Sequence, residues 1–304
     1  MDSSLSQIGY AIESAWKIPP SPLAFKTLRF NSETLKIGRD KVQSQEIRND
    51  RNVADLIAVG NNAGGGTEHE LSYATFDDII QAVMFGAWNA NVITNGTTLT
   101  SFHMLKKETG QQSQTIYELF KGMVVNSVSI KITKKAVMMI SVSYLGANGE
   151  ETLVSPGSFI AANSNPVFDA TNAFLVNDAI VSPAPFISEM TLDLNNNCTV
   201  DDACGEDEAI GIVPGQFVAS GSLSLYFRNI NLLNAYLDNL DGPLEVTLGN
   251  TTNQKYTIEL PKVKFNDFSH PTAGNSQSVI ATAPFTAIYD SVAGYAAKIT
   301  RAVA

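Results

Sequence analysis

The sequence predicts a mainly β protein, and three observations carry that expectation. Apolar and polar residues alternate strictly in several short runs, turn-forming residues separate those runs, and only two stretches change to the spacing of a helix. The alternating runs include Val128-Ser-Ile130-Lys-Ile132, Ile140-Ser-Val142-Ser-Tyr144, Met190-Thr-Leu192-Asp-Leu194 and Tyr256-Thr-Ile258-Glu-Leu260. A period of two places every second side chain on one face, the signature of a half-buried strand. Gly146-Ala-Asn-Gly149, Asp241-Gly-Pro243 and Gly249-Asn250 supply the turn chemistry of an antiparallel sandwich or barrel.

In chain order, the run Gly60-Asn-Asn-Ala-Gly-Gly-Gly66 reads as a hairpin loop, because no Lys-Ser/Thr follows it and a strand, not a helix, comes next. The first helix follows. Thr75 is its expected cap, Asp77 and Asp78 suit the positive end of the helix dipole, and Phe76, Ile79, Ile80 and Val83 form one apolar face. Strands are expected over Val124 to Ile132 and Val137 to Leu145. The segment from Pro156 to Pro185 lacks periodicity and carries SPGS, NSNP and SPAP, so it reads as a linker or a covering loop. The second helix is expected from Asn229, its cap, to Leu240, with Leu232, Leu233, Tyr236 and Leu237 on the packing face. Strands over Tyr256 to Phe265 and Val279 to Thr286 complete the chain.

The two strand-then-helix units resemble each other. Leu71 matches Leu223 and Ser72 matches Ser224 at an offset of 152, while Ile79, Ile80 and Val83 match Leu232, Leu233 and Tyr236 at 153, half of the 304 residues. The expected organisation is a first domain over 1–155 with an N-terminal arm over 1–26, the segment 156–185, and a second domain over 186–304.

Composition narrows the function. Hydrophobic residues at 44% and charged residues at 16% belong to a chain that folds. The formal charge of −10 and the lack of a long Lys/Arg run disfavour tight DNA binding, but suit a surface past which DNA slides without sticking. The opening MDSSLSQIGYAIESAW has neither a basic nor a continuous apolar region, so no secretory signal and synthesis in the cytosol are expected. The apolar runs are too short for a membrane span.

Candidate chemistry is sparse. His69, His103 and His270 are isolated, stand in no HExxH, Cys-His array or nucleophile elbow, and are expected at surfaces or interfaces. From Asp193 to Glu208 the chain is acidic, with Asp193, Asn195, Asn197 and Thr199 at alternate positions as in a calcium loop. Cys198 stands where that loop needs Gly and Cys204 where it needs Glu, so a solvated acidic hairpin tip is the preferred reading. Cys198 and Cys204, the two cysteines, allow at most one local bridge and leave open whether it forms. No catalytic residue, cofactor or metal is expected. Arg48, Asn49, Asp50, Arg51 and Asp55 mix charges in a stretch without periodicity, which suits either a protein contact or a solvated loop.

Taken in order, Gly9 to Trp16 with Pro19-Pro-Ser-Pro22, Leu28 to Leu35, Gln45 to Leu56, Glu70 to Asp78, Phe85-Gly-Ala-Trp88, Phe120 to Val128, Phe217 to Tyr226 and Leu260-Pro-Lys-Val-Lys-Phe265 resemble the tail tube proteins of long-tailed, siphovirus-type bacteriophages. The resemblance covers most of the chain. It implies two tandem β-sandwich or half-barrel domains, each with a flanking helix, whose sheets join those of neighbours into a ring-shaped inner β-barrel, so that the edge strands are functional. About six domains make such a ring, so a trimer with pseudo-sixfold symmetry is favoured, and a homohexamer with one tube domain per chain is the alternative. The resemblance further implies that Arg48 to Asp55 touches the next ring and that polar and acidic side chains face the lumen. Its implied partners are a tape-measure protein, a tail terminator and baseplate or tip proteins, with DNA as a transient non-specific cargo. The implied location is the virion tail, assembled in the host cytoplasm. Another tail, baseplate or neck component, a type VI secretion tube subunit, and a non-viral β-sandwich binding module are the competing readings.

Overall fold

Each alternating run lies inside a strand of the computed structural model, which describes residues 5–302 apart from 111–113, 172–173, 179–185, 229, 252 and 273. The first half of the chain forms β1 (Gln7–Ile12), β2 (Ala24–Leu28), β3 (Ser32–Glu33), β4 (Lys36–Gln43), β5 (Leu56–Glu70), α1 (Asp77–Met84), β6 (Val92–Thr94), β7 (Ser101–Thr109), β8 (Thr115–Thr133), β9 (Met139–Gly146), β10 (Asn148–Thr152) and β11 (Ser158–Ile160). The second half forms β12 (Phe174–Asp178), β13 (Ile187–Asn195), β14 (Thr199–Asp201), β15 (Gly211–Val213), β16 (Val218–Tyr226), α2 (Asn231–Leu237), β17 (Gly242–Thr251), β18 (Gln254–Phe265), β19 (Ile280–Ala287) and β20 (Lys298–Ala302).

In the first half the antiparallel ladders run β4-β5-β9-β8-β7-β1, and β10 also pairs with β8. In the second half they run β13-β16-β19-β18-β17-β12, and β20 also pairs with β18. Strand for strand, the order is the same. Among the described residues two ladders cross from one half to the other: Ser127–Thr133 of β8 pairs with Glu189–Asn195 of β13, and β20 pairs with β6. Among the described strands the large sheet stays open and does not close into a barrel.

One apolar core follows the inner face of both halves. Val128, Ile130, Ile140, Val142, Met190, Leu192, Leu223, Leu225, Ile258, Leu260, Ala283 and Phe285 are all buried in it. The alternation thus reports burial on one side and not merely strand propensity. On β16, Gly221 faces Phe285 of β19, and a Cβ there would meet that ring at 2.6 Å, so the missing side chain makes room for the aromatic one.

Several expectations change. The Gly60–Gly66 run lies within β5 and is no hairpin loop. Glycine is needed there because the chain entering β4 crosses β5 closely: Gly65 has φ +133°, and a Cβ on it would lie 2.3 Å from the Thr34 carbonyl oxygen. Thr75 does not cap α1; its hydroxyl binds that of Ser72 at 2.7 Å, and Phe76 holds the cap position without a side-chain bond. The second helix is shorter than expected, and its proposed cap Asn229 lies outside the described residues. The strand offset is also displaced. Aligning the last pairs of the two ladders, Glu70–Met139 and Tyr226–Ile280, makes Glu70 and Tyr226 counterparts, 156 apart where the sequence pattern suggested 152. A slip of four keeps every side chain on its face, which is why alternation alone could not detect it. Within 156–185, β11 pairs in parallel with β2 and Phe168 enters the core over the first half, as a covering segment does, whereas the SPAP portion lies outside the described residues.

Candidate assembly surfaces

On the opposite side from the core, the alternation leaves a face of small hydroxyls: Ser127, Ser129, Ser141 and Ser143 from the first half, and Thr191, Ser220, Ser222, Ser224, Thr282 and Thr286 from the second. Charges are interspersed on it: Glu68 stands opposite Ser141 and Lys264 opposite Thr286, and others are engaged in pairs. Lys131 and Glu189 pair at 3.0 Å, and Ser129 donates to Asp193 at 2.5 Å.

This face is bounded by two unpaired margins. Among the described residues, β4 pairs with β5 alone. At the other end, Asn266 donates to the Pro284 carbonyl at 2.8 Å, and Ser269 and Thr282 exchange backbone bonds, so the strip 266–270 follows β19, and among the described residues no strand pairs with its other side. The matching strip of β8, which begins at Ser127 opposite Ser143, is flanked by β13.

From the β4 margin an arm projects. Val42, Leu56, Ile57 and Val59 on its shaft are each at least half exposed, and Ile47 and Val53 on its tip are exposed too. The expected contact residues Arg48, Asn49, Asp50, Arg51 and Asp55 all lie in the tip loop 44–55. Arg48 grips Asp50 in a two-pronged pair at 3.0 and 2.8 Å, which holds the Asp50 carboxyl well below the usual carboxylate range. Arg51 has φ +61°, and the Asp55 carbonyl accepts from the Ser44 amide at 2.9 Å, closing the loop.

The acidic stretch 193–208 occupies the same place in the second half. The β13–β16 ladder extends past Asn195 into β14–β15, whose tip carries Cys204 and Glu208. This arm lies down on the first half. Cys198 and Ile212 pack with Phe85 and Val124, and buried Asn196 donates from Nδ2 to the Val83 carbonyl at 3.0 Å and the Val125 carbonyl at 3.2 Å. At its tip, Glu208 pairs with Lys17 at 3.0 Å and the Asp207 carbonyl accepts from the Asn61 amide at 2.7 Å. The stretch has a counterpart in the first half, the β4–β5 arm. Cys198 is buried, Cys204 is exposed, and both are free thiols. Two of the four side chains that suggested calcium use their oxygens locally, Asp193 accepting from Ser129 and Asn195 from the Asn197 amide at 2.9 Å.

Phe76, Ile79, Ile80 and Val83 of α1 are buried as expected. Leu232 of α2 is buried too, and Leu233 and Tyr236 are half-buried, but Leu237 is 67% exposed because it falls about 140° round the helix from Leu232. The C-terminal strand ties back to α1: Arg301 meets Asp77 at 2.5 Å and lies over the Trp88 ring, and the Tyr256 hydroxyl donates to Asp77 at 2.5 Å.

Two histidines are interior, not superficial. His69 is fully buried between the Arg29 carbonyl and the Thr67 hydroxyl, each at 2.7 Å, and burial lowers its pKa to about 4. His103 lies 2.6 Å from the buried Glu13 carboxylate. Burial by itself would raise the Glu13 pKa, but His103, Ser101 and the amides of Gly122 and Lys17 outweigh it and hold the group below its ordinary value. His270 alone is exposed, stacked on Phe227. No local signal could have revealed the Glu13–His103 pair, since only the β1–β7 ladder brings its members together.

A family model described as phage tail tube protein matches residues 3–287. No curated protein matches the chain.

Proposed function

The chain belongs to the phage tail tube protein family, and is thus a structural component of the virion tail; from that premise we propose that each half is one of two tandem tube units, and that three chains close a pseudo-sixfold ring. The observation that carries this is the β8–β13 ladder. It already joins one unit to the next within the chain, and the margins left open, β4 and the strip 266–270, are the counterparts of the two strands that meet there. Repeating the same junction between chains leaves no free edge. The strands β4, β5, β9 and β8 with β13, β16, β19 and β18 number eight per chain, so three chains supply three times eight, or twenty-four, to one barrel.

In this reading the hydroxyl face lines the lumen. Ser and Thr side chains give DNA few cationic contacts with its phosphates, so the genome passes without being held. Rings stack through the arm tip Arg48 to Asp55, in a tail of the long siphovirus type built in the host cytoplasm. A tape-measure protein sets the length, and a terminator and a baseplate or tip complex close the ends. No chemical step is required.

Negative-stain electron microscopy of the purified chain, with native mass spectrometry of its smallest ring, tests the proposal. Hollow tubes with six lobes in cross-section and three chains per ring are expected. Six chains per ring would replace the tandem reading with a homohexamer, and a stable monomer at high concentration with no hollow particle would overturn both.

A further inference from the structure

We infer that the C-terminal end of α2 is the docking site for the β4–β5 arm of a second copy of this chain. The inference rests on the ring proposed above and specifies the contact that closes it. Leu237, the last residue of α2, and Leu240 just beyond it are 67% and 49% exposed, an apolar pair left uncovered beside a core. The same end of α1 is not exposed. Phe85 and Val83 there lie under the second arm of this very chain, through Cys198, Ile212 and Asn196.

Three features fix the equivalence. Both helices are followed by a left-handed residue, Phe85 at φ +45° and Asn239 at φ +50°. Both arms change register by one residue at the same height: between Asp40 and Lys41 in the first, and between the Asn195–Val218 and Thr199–Val213 pairs in the second. The strand offset of 156 then places Leu56 where Ile212 lies, and the partner strand places Lys41 where Cys198 lies. The two surfaces therefore match. Leu56, Ile57 and Val59 are apolar and uncovered on the arm, as Leu237 and Leu240 are on the helix. Cys198 packs on Phe85, whose counterpart is Asn239, so Lys41 arrives at Asn239 with the Asp238 carboxylate next to it, and an apolar contact within the chain becomes a polar one between chains.

The test uses the full chain carrying Cys204→Ser, Leu56→Cys and Leu240→Cys, assembled and treated with a short bis-maleimide. The expected result is loss of the monomer band into a ladder that stops at one fixed rung, since lateral docking links each chain only to its ring neighbours; that rung is the number of chains per ring. A ladder without a ceiling, which signifies contact between rings, or uncross-linked chains in well-formed tubes, overturns the docking while leaving the tube reading intact. Failure of the unmodified chain to form rings or tubes overturns the reading itself and the docking with it. Leu237→Lys with Leu240→Lys serves as a second variant that needs no assembly to be informative: the monomer should keep the unmodified circular dichroism and melting midpoint yet form no rings. Rings formed as readily as by the unmodified chain would overturn the inference.

Discussion

His69 carries the clearest pH signature of any single side chain. Its folded pKa of about 4 lies below the ordinary value of 6.5, so between those values the unfolded chain takes up a proton that the folded chain refuses. Stability therefore rises with pH through that window and is lost on acidification, by about 3 kcal/mol at most. Urea unfolding from pH 6.5 to 4 should show this slope, and His69→Asn should flatten it; an unchanged slope would assign it elsewhere. Glu13 behaves in the opposite chemical sense with the same direction. Its depressed pKa means that its contribution is present above the ordinary carboxylate range and fades as pH falls through the folded value. Glu13→Gln weakens the bonds that the buried carboxylate accepts from the Ser101 hydroxyl and the amides of Gly122 and Lys17 and should cost about 1 to 3 kcal/mol in urea unfolding at neutral pH, whereas a cost near zero would mean the group is not buried in solution. Neither site was legible beforehand, because Glu13 and His103 stand far apart along the chain and their residue types have no motif.

At the level of elements, strands with one buried face declared themselves, since Val128 to Ile132 and Met190 to Leu194 alternate for the same reason that they pack. What escaped was set by close approach, not by pattern. The Gly64–Gly66 run signals a loop by composition, yet it serves as the place where the Thr34 backbone passes over β5. Gly65→Ala should destabilise the fold by about 1 to 3 kcal/mol in thermal or urea melts, and a neutral effect would contradict the crossing. The arms escaped too, because their meaning lies in a comparison between halves; the first tip, read as a charged contact, does project, while the second lies folded on its own chain. Arg48→Glu with Arg51→Glu should leave circular dichroism and melting unchanged, since both side chains are exposed, but should stop tube elongation at short stacks. Tubes of ordinary length from that double variant would remove the tip from the junction between rings.

For the whole molecule, the expected mark of assembly is a change of amide protection at two places only. Hydrogen exchange in the monomer and in the tube should agree along the β8–β13 ladder, which is complete in both, and should slow on assembly over 36–43 and 266–270. If those two segments exchange equally in both states, the ring does not close through them. The internal ladder between the halves also bears on how fast a tube begins. In the proposed ring, two units on one chain would meet at a local concentration in the millimolar range, far above that of separate proteins in dilute solution, so every second junction would exist before any encounter. With three chains to a ring, a three-body collision order would replace a six-body one, the threshold for starting a ring would fall, and repeated copies that no longer need to be interchangeable would be free to specialise: one to reach outward to a neighbour, the other to act as a permanent clasp.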